Sequence, residues 1–466
     1  MGRGRNRKGN SSSRHESILT EASKLKQQAE RKSNGPERVP LLEKCSQLFQ
    51  NALQFPLSLR DKEEALFDLG EAFLLWSSAV RKGPCLGNHS AFKGNIKKHH
   101  AIQLQLEASL YAANLCRQSV ESYRKIFSME GGELKQESRI NCANALCDWG
   151  EIVSEIPTNK GGGTGLAADL YAQADNIYTE ALVSDPVDVE LLTNLGDCCI
   201  KRAELSFTSV NPDQTSINEI WNSAREFYER SFSAYANASS RSDIRLGDDI
   251  AGLLQNWGAG LLSLAEHSVD IIESAEAFKH AEEKLRNAAN FSQTDASVRI
   301  ALGELFSAQA DKFSHTTDHQ PQVLNLLEKS IKEGYGAALQ IDATNLDALI
   351  GLGEVCLTSA KHSLRSGEKE RANESSLKSL QWYTKAVNLL EEDSISKYEL
   401  CFEEQCDLMY NMACAAEICG QEDTSSRALR HLMQIDAISP SELVEDPDLE
   451  SLRNKDWFIS LTQQKS

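Results

Sequence analysis

The sequence predicts an all-α chain built as an array of helical hairpins, and three observations carry the prediction. A phrase recurs along the chain: a large apolar residue, two further residues, another apolar residue and Gly. It reads Leu66-x2-Leu69-Gly70, Leu146-x2-Trp149-Gly150, Leu192-x2-Leu195-Gly196, Leu254-x2-Trp257-Gly258 and Leu349-x2-Leu352-Gly353, with a weaker copy in which Arg299 precedes Leu302-Gly303. Three residues after each Gly another apolar side chain follows, at Phe73, Val153, Cys199, Leu261, Phe306 and Cys356. Spacings of three, four and seven place these side chains on one helix face. Gly is unfavourable inside a helix, so its recurrence marks a point where a neighbouring helix comes close. Finally, no stretch alternates β-branched and polar residues in twos, which leaves no reading for a sheet.

Taken in order, the chain opens on a basic arm (1–16) rich in Gly, Ser and Asn and carrying Arg3, Arg5, Arg7, Lys8 and Arg14. That composition predicts disorder. Helical periodicity begins near Ser17 and the array spans 17–435. Loops are expected at Gly83 to His100, Gly131-Gly132, Pro157 to Gly165, Thr208 to Thr215, Ser239 to Ser242, Ser314 to Pro321 and Gly367 to Ser375. The fullest unit places Ala174, Tyr178, Ala181 and Pro186 in phase with Leu192, Leu195, Gly196 and Cys199. Small residues with one aromatic make a thin face for the next helix, and Pro186 stops the helix because it lacks the N–H. The tail (436–466) holds Leu449, Leu452, Trp457 and Phe458, apolar residues suited to covering the exposed edge of a last hairpin.

These residues resemble the tetratricopeptide repeat, whose pattern runs W-x2-L-G-x2-Y…A-x3-F-x2-A-x4-P. The match recurs at Ala224/Tyr228/Ser231, at Ala281/Leu285/Ala288 and at Tyr335/Ala338 leading into Asn345, Asp347 and Leu349, and covers residues 40 to 435. The resemblance implies a right-handed α-α superhelix, a solenoid of hairpins whose first helices line a groove. It also implies a protein-binding role. Successive phrase glycines are 80, 46, 62, 45 and 50 residues apart, against about 34 in the family. Repeats are therefore lengthened and irregular, and the widest gap is read as hiding a degenerate repeat around Tyr111 to Phe127.

At 466 residues the length prior suggests several domains, but a repeat array favours one continuous solenoid. Hydrophobic content of 41% and charged content of 25% suit a folded protein. No apolar run reaches the length of a membrane span, and the polar opening residues do not read as a secretory signal. The cytoplasm or nucleus is the expected location. The 12 cysteines contain no Cys-x2-Cys pair, so they read as reduced structural thiols and not as a zinc site. No cofactor is expected.

Chemistry finds little support. Gly161-Gly162-Gly163-Thr164-Gly165 lacks the Gly-Lys-Ser/Thr ending and preceding strand of a phosphate loop, and reads as a flexible connection. His99-His100 beside Lys97 and Lys98 reads as an exposed basic turn. No catalytic motif is present, so the chain is read as a non-enzyme. Trp149 and Trp257, inside the phrase, are expected in the core.

The charges near the phrase are more ordered. The position after the Gly holds Glu71, Glu151, Asp197, Ala259, Glu304 and Glu354, and seven residues earlier stand Glu64, Asn144, Glu190, Gly252, Ser297 and Asp347. The resemblance puts both positions on the groove. A solvated face in a chain of net charge −19 would also be acidic, but placement at one repeat position is more regular than that. The candidate partner-binding groove is therefore Glu64, Glu71, Glu151, Glu190, Asn194, Asp197, Glu304, Asp347 and Glu354. The family's clamp for the C-terminal carboxylate of heat-shock chaperones is absent: Asn194 matches its middle Asn, but Cys147 and Glu151 stand on one side and Gly252 and Asn256 on the other. The expected function is a protein-interaction scaffold or adaptor whose acidic groove binds a basic segment. An escort for a basic client, such as a ribosomal or nuclear protein, is the alternative, and a regulatory subunit of an enzyme complex the reading of another class. Nucleic acid is a poor partner for a chain so acidic.

Overall fold

A computed structural model describes residues 9–32, 35–82, 97–131, 133–186, 188–208, 217–241, 247–314, 320–391 and 400–463. The described residues form helices and turns, with no strand among them. The helices pack in consecutive pairs. Helix α1 (Gly9–Glu30) pairs with α2 (Gly35–Ala52), α3 (Leu59–Lys82) with α4 (Lys98–Phe127), and α5 (Lys135–Glu155) with α6 (Thr164–Ser184). Next come α7 (Val189–Thr208) with α8 (Ile217–Arg241) and α9 (Gly247–His267) with α10 (Ile271–Phe291). Helix α11 (Ala296–Ser314) pairs with an interrupted partner made of α12 (Gln320–Lys329), a π-helical turn (Ser330–Tyr335) and α13 (Gly336–Ile341). Then α14 (Leu346–Arg365) pairs with α15 (Lys369–Glu391), and α16 (Phe402–Ile418) with α17 (Glu422–Gln434). The chain ends with α18 (Pro440–Glu445), a 3₁₀ turn (Pro447–Leu452) and α19 (Asp456–Thr462). Contacts divide it into two compact units, Met1–Pro84 with Leu104–Arg241, and Cys85–Gln103 with Ser242–Ser466.

Every phrase glycine lies in the first helix of a pair, and five of the six face an aromatic ring of the second. A Cβ placed on Gly70 would lie 2.7 Å from the Tyr123 ring. The corresponding distances are 3.0 Å for Gly150 to Tyr171, 2.5 Å for Gly196 to Tyr235, 2.9 Å for Gly303 to Tyr335 and 2.4 Å for Gly353 to Tyr383. Gly258 meets Leu285 at 2.7 Å. A missing Cβ also uncovers the helix carbonyl. Ser119 donates to Gly70 O at 2.9 Å, Ser330 to Gly303 O at 2.8 Å and Ser379 to Gly353 O at 2.7 Å. Two second helices, α4 and α15, thus carry Ser-x3-Tyr against Gly, with both contacts one turn apart on one face.

The π-helical turn follows from the same requirement. In α12–α13 the serine and tyrosine are separated by one residue more, Ser330 to Tyr335. The wider turn absorbs that residue, so both side chains still reach Gly303. Gly334 leaves helical geometry there, with φ −95° and ψ −107°, and a Cβ on it would lie 2.3 Å from Gly303 Cα. Tyr335 is also wedged against Gly351 of the next hairpin, whose Cβ would lie 2.4 Å from its ring.

Several expectations need correction. Residues 111–127 form no degenerate repeat. They belong to α4, the partner of α3, and the wide gap reflects two long helices and the connection between them. Helix α1 begins at Gly9 and not near Ser17, because a helix nucleated at Ile18, Leu19 and Ala22 extends readily through residues that do not break it. The first eight residues of the basic arm lie outside the described residues. Trp149 and Trp257 are half-buried instead of core, and Lys284 Nζ sits 4.2 Å from the centre of the Trp257 ring. The Gly161–Gly165 stretch is a tight turn: Gly161 and Gly163 have φ of 93° and 107°, and Gly163 N–H donates to Val153 O at 2.7 Å. In the tail Leu449, Leu452 and Phe458 are buried against α16 and α17, while Trp457 Nε1 donates to Glu422 at 2.7 Å.

Candidate functional site

The nine candidate residues all lie on first helices, but their surroundings differ between the units. In the first unit, Glu64 is exposed and paired with Arg60 at 2.9 Å. Glu71, with Asp68, receives Lys26 of α1, whose side chain is only 12% exposed. Glu151 and Glu155 share Arg81 of α3, at 3.0 and 2.5 Å. Glu190 is exposed in the first turn of α7. Asn194 donates to Asn144 Oδ1 at 3.2 Å, and Asn144 Oδ1 also accepts from the Tyr178 hydroxyl at 2.6 Å. Asp197 accepts from the Tyr235 hydroxyl, so this carboxylate also holds α7 to α8.

Glu151, Asn194 and Asp197 line one cavity of about 240 Å³ with Asn144, Asp148 and Lys201. Asp148 was not among the sequence candidates. Crowding by the protein, then repulsion by Glu151, raises its carboxyl to about 6 against the opposing pull of Arg81. Glu64, Glu71 and Glu190 are not part of this cavity.

In the second unit, Glu304 of α11 and Asp347 and Glu354 of α14 come together. They line a cavity of about 290 Å³ with Glu404 and Asp407 of α16, and its remaining walls include Tyr335, Ile350, Leu400 and Leu408. Three successive first helices thus place five carboxylates around one space. Among the described residues no cation pairs with Glu304, Asp347, Glu354 or Asp407, and Glu404 is occupied by its own helix start, accepting from Cys401 N–H at 2.6 Å. Each of Glu304, Asp347 and Glu354 keeps exposed surface, yet surrounding protein displaces enough water to raise its carboxyl. Like charge adds to the rise, from Asp347 and Glu266 on Glu304, from Glu404 on Asp347, and from Asp407 and Glu304 on Glu354.

Sequence reading missed Glu404 and Asp407, because α16 lacks the Gly phrase. The signal was its apolar series Phe402, Leu408, Met409, Ala413 and Cys414, which carries the helix back before Tyr410. It also missed Lys26 and Arg81, the cations that close the first unit. Lys97 and Lys98, read as an exposed basic turn, instead bind the end of α17 within the second unit: Lys98 N–H donates to Ile435 O at 2.8 Å, and Lys97 pairs with Asp436 at 3.1 Å.

No protein-family model matches the sequence, and no curated protein matches it. Among solved structures, the chain is similar to the S. pombe nuclear import adaptor Nro1, at 11% identity over 77% of this chain and 99% of that one, with a TM-score of 0.43. It is similar to BtubC from P. vanneervenii at 12% identity over 58% and 89%, with a TM-score of 0.35. It is similar also to TTC0263, a thermophilic TPR protein of Thermus thermophilus, at 14% identity over 55% and 98%, with a TM-score of 0.28. The repeat assignment rests on the packing inside this chain, where first-helix glycines receive second-helix rings in hairpin after hairpin. The chain is an array of helical hairpins.

Proposed function

We propose that this protein is a non-enzymatic interaction scaffold whose second unit binds a basic segment of a partner protein in the cavity formed by α11, α14 and α16. One observation carries the reading: Glu304, Asp347, Glu354, Glu404 and Asp407 converge on one space, and no described cation enters it. Carboxylates held together repel, and the raised carboxyls of Glu304, Asp347 and Glu354 register that repulsion together with lost hydration. A guanidinium or ammonium group entering the cavity relieves the repulsion and pairs with the carboxylates. Ile350, Leu400 and Leu408 offer apolar contact to the stem of such a side chain. Glu71 and Glu151, at the equivalent repeat position, already hold Lys26 and Arg81, which supports the same chemistry for a partner's cation at Glu304 and Glu354.

Other details belong to the same proposal. The groove of the first unit is occupied by its own charges and contributes less. Among the described residues no helix is long and apolar enough to cross a membrane, and a cytoplasmic or nuclear partner is proposed. The test is affinity purification from native extract with the full chain and with Glu304→Lys/Glu354→Lys, each at low and high salt. Basic polypeptides retained by the unmodified chain at low salt, released by high salt and lost in the variant are the expected result. Equal retention by both chains refutes the site.

A further inference from the structure

Two thiols line the cavity of the first unit. Cys147 of α5 and Cys198 of α7 come from the first helices of adjacent hairpins, and both line the space of about 240 Å³ that also holds Asn144 and Asn194. Cys147 is partly exposed and lies 3.9 Å from the Tyr178 hydroxyl. Cys198 is buried and donates to the Tyr171 carbonyl at 3.4 Å. Both tyrosines come from α6, the helix between. Among the other described cysteines, Cys45, Cys116, Cys142, Cys199, Cys356 and Cys414 are buried, Cys401, Cys406 and Cys419 are partly exposed, and none lines this cavity.

We propose that Cys147 and Cys198 form a redox-modifiable pair, oxidised by a peroxide to a disulfide that ties α5 to α7 across the cavity. The roles follow from exposure. Cys147, reachable from the cavity, is the attacking sulfur. Cys198 resolves, because its interaction with Cys147 and its burial raise its thiol well above the ordinary range and keep it from reacting first. In the first step the Cys147 thiolate attacks one oxygen of hydrogen peroxide. The O–O bond breaks, Cys147 becomes a sulfenic acid, and the departing hydroxide leaves as water with the proton the thiol gave up. In the second step the Cys198 sulfur attacks the Cys147 sulfur. The S–O bond breaks and a second water leaves with the Cys198 proton. Two thiols lose two electrons, and one peroxide becomes two waters.

The consequence is local. Asn144 stands one helical turn before Cys147 and Asn194 one turn before Cys198, and the two amides are already hydrogen-bonded. A disulfide would fix that wall of the cavity, adding a covalent link between neighbouring first helices to the hydrogen bond already there.

The test uses the full chain, treated with graded hydrogen peroxide, alkylated under denaturing conditions and digested for peptide mass analysis. The expected product is a peptide linking Cys147 to Cys198, lighter by two hydrogens and split by reductant. It should form at lower peroxide than any change at the partly exposed Cys401, Cys406 or Cys419. In Cys147→Ser the linked peptide should vanish while Cys198 remains alkylatable. Accumulation of Cys147 as a sulfinic acid with Cys198 reduced would overturn the proposal, and so would linkage of Cys147 to a different cysteine. The unsubstituted chain alone decides between these outcomes, so the proposal does not depend on the variant folding.

Discussion

In the first unit, Lys26 sits on Asp68 and Glu71, Arg81 spans Glu151 and Glu155, and the buried Asp175 is held by Arg202 and Arg230. In the second unit the first helices carry Glu304, Asp347 and Glu354, with no such partner among the described residues. The second unit has ion pairs too, but they stand elsewhere: Arg286 with Glu333, Lys361 with Asp448 and Lys455 with Glu422. Paired helices are common to both units, so the difference in charge pairing lies in the side chains. The first unit uses several of its charges to join neighbouring hairpins, and on the proposed reading the second leaves its carboxylates to a partner.

If the hairpin core is common to both units, filling a glycine should damage either one equally, and this is the largest effect expected. Gly196→Ala and Gly353→Ala each drive a methyl into a tyrosine ring packed within the pair, at 2.5 and 2.4 Å before any relaxation. Each should destabilise by about 1–3 kcal/mol in chemical denaturation. Gly252→Ala, where a Cβ meets nothing within 4 Å, should instead stabilise α9 by up to about 1 kcal/mol through helix propensity. Should all three behave alike, the close-approach account of the phrase fails.

Opposite responses to charge removal sharpen the comparison. Lys26→Met leaves Asp68 and Glu71 facing each other without their cation, and should destabilise the first unit on the order of 1 kcal/mol, the pair being partly exposed. Glu354→Gln removes a like charge from the second unit and should slow hydrogen exchange in α14. A loss of protection in the second variant would mean that Glu354 is held by attraction.

The smallest effect is in pH. Carboxyls raised in the folded state bind protons more tightly there than in the unfolded chain, so the contribution of these groups to stability is greatest below the ordinary carboxylate range, about 4. It falls as pH rises through the raised values of Glu304, Asp347 and Glu354. For Asp148 the fall runs from the ordinary Asp range to about 6. The stabilising effect of Glu354→Gln should therefore be present at neutral pH and disappear in acid. An effect independent of pH would assign it to packing.

The fold was legible because its determinants are local and periodic: a missing Cβ at Gly70, Gly150, Gly196, Gly303 and Gly353, and small or aromatic residues at helical spacing, are visible in one dimension. The partners of those glycines were less so. Tyr171 and Tyr235 lie two turns from Tyr178 and Tyr228, the residues that the family pattern singles out, and the serine that binds the glycine carbonyl has no counterpart in that pattern. The candidate site was half legible. Acidic residues after the glycine could be read directly, but which of them stay unpaired depends on Lys26 and Arg81, which stand 45 and 70 residues from the carboxylates they bind. Asp197 shows the limit most clearly: read as a groove residue, it also fastens Tyr235, so reversing its charge would disturb the hairpin along with any binding.

The most direct measurement is fluorescence anisotropy of a short labelled arginine–leucine peptide titrated with the full chain, with Glu304→Gln/Glu354→Gln and with Glu71→Gln/Glu151→Gln, at low and physiological salt. Binding that weakens with salt, is lost in the second-unit variant and persists in the first-unit variant is what this account predicts. Equal binding by all three chains, or loss only in Glu71→Gln/Glu151→Gln, would contradict it.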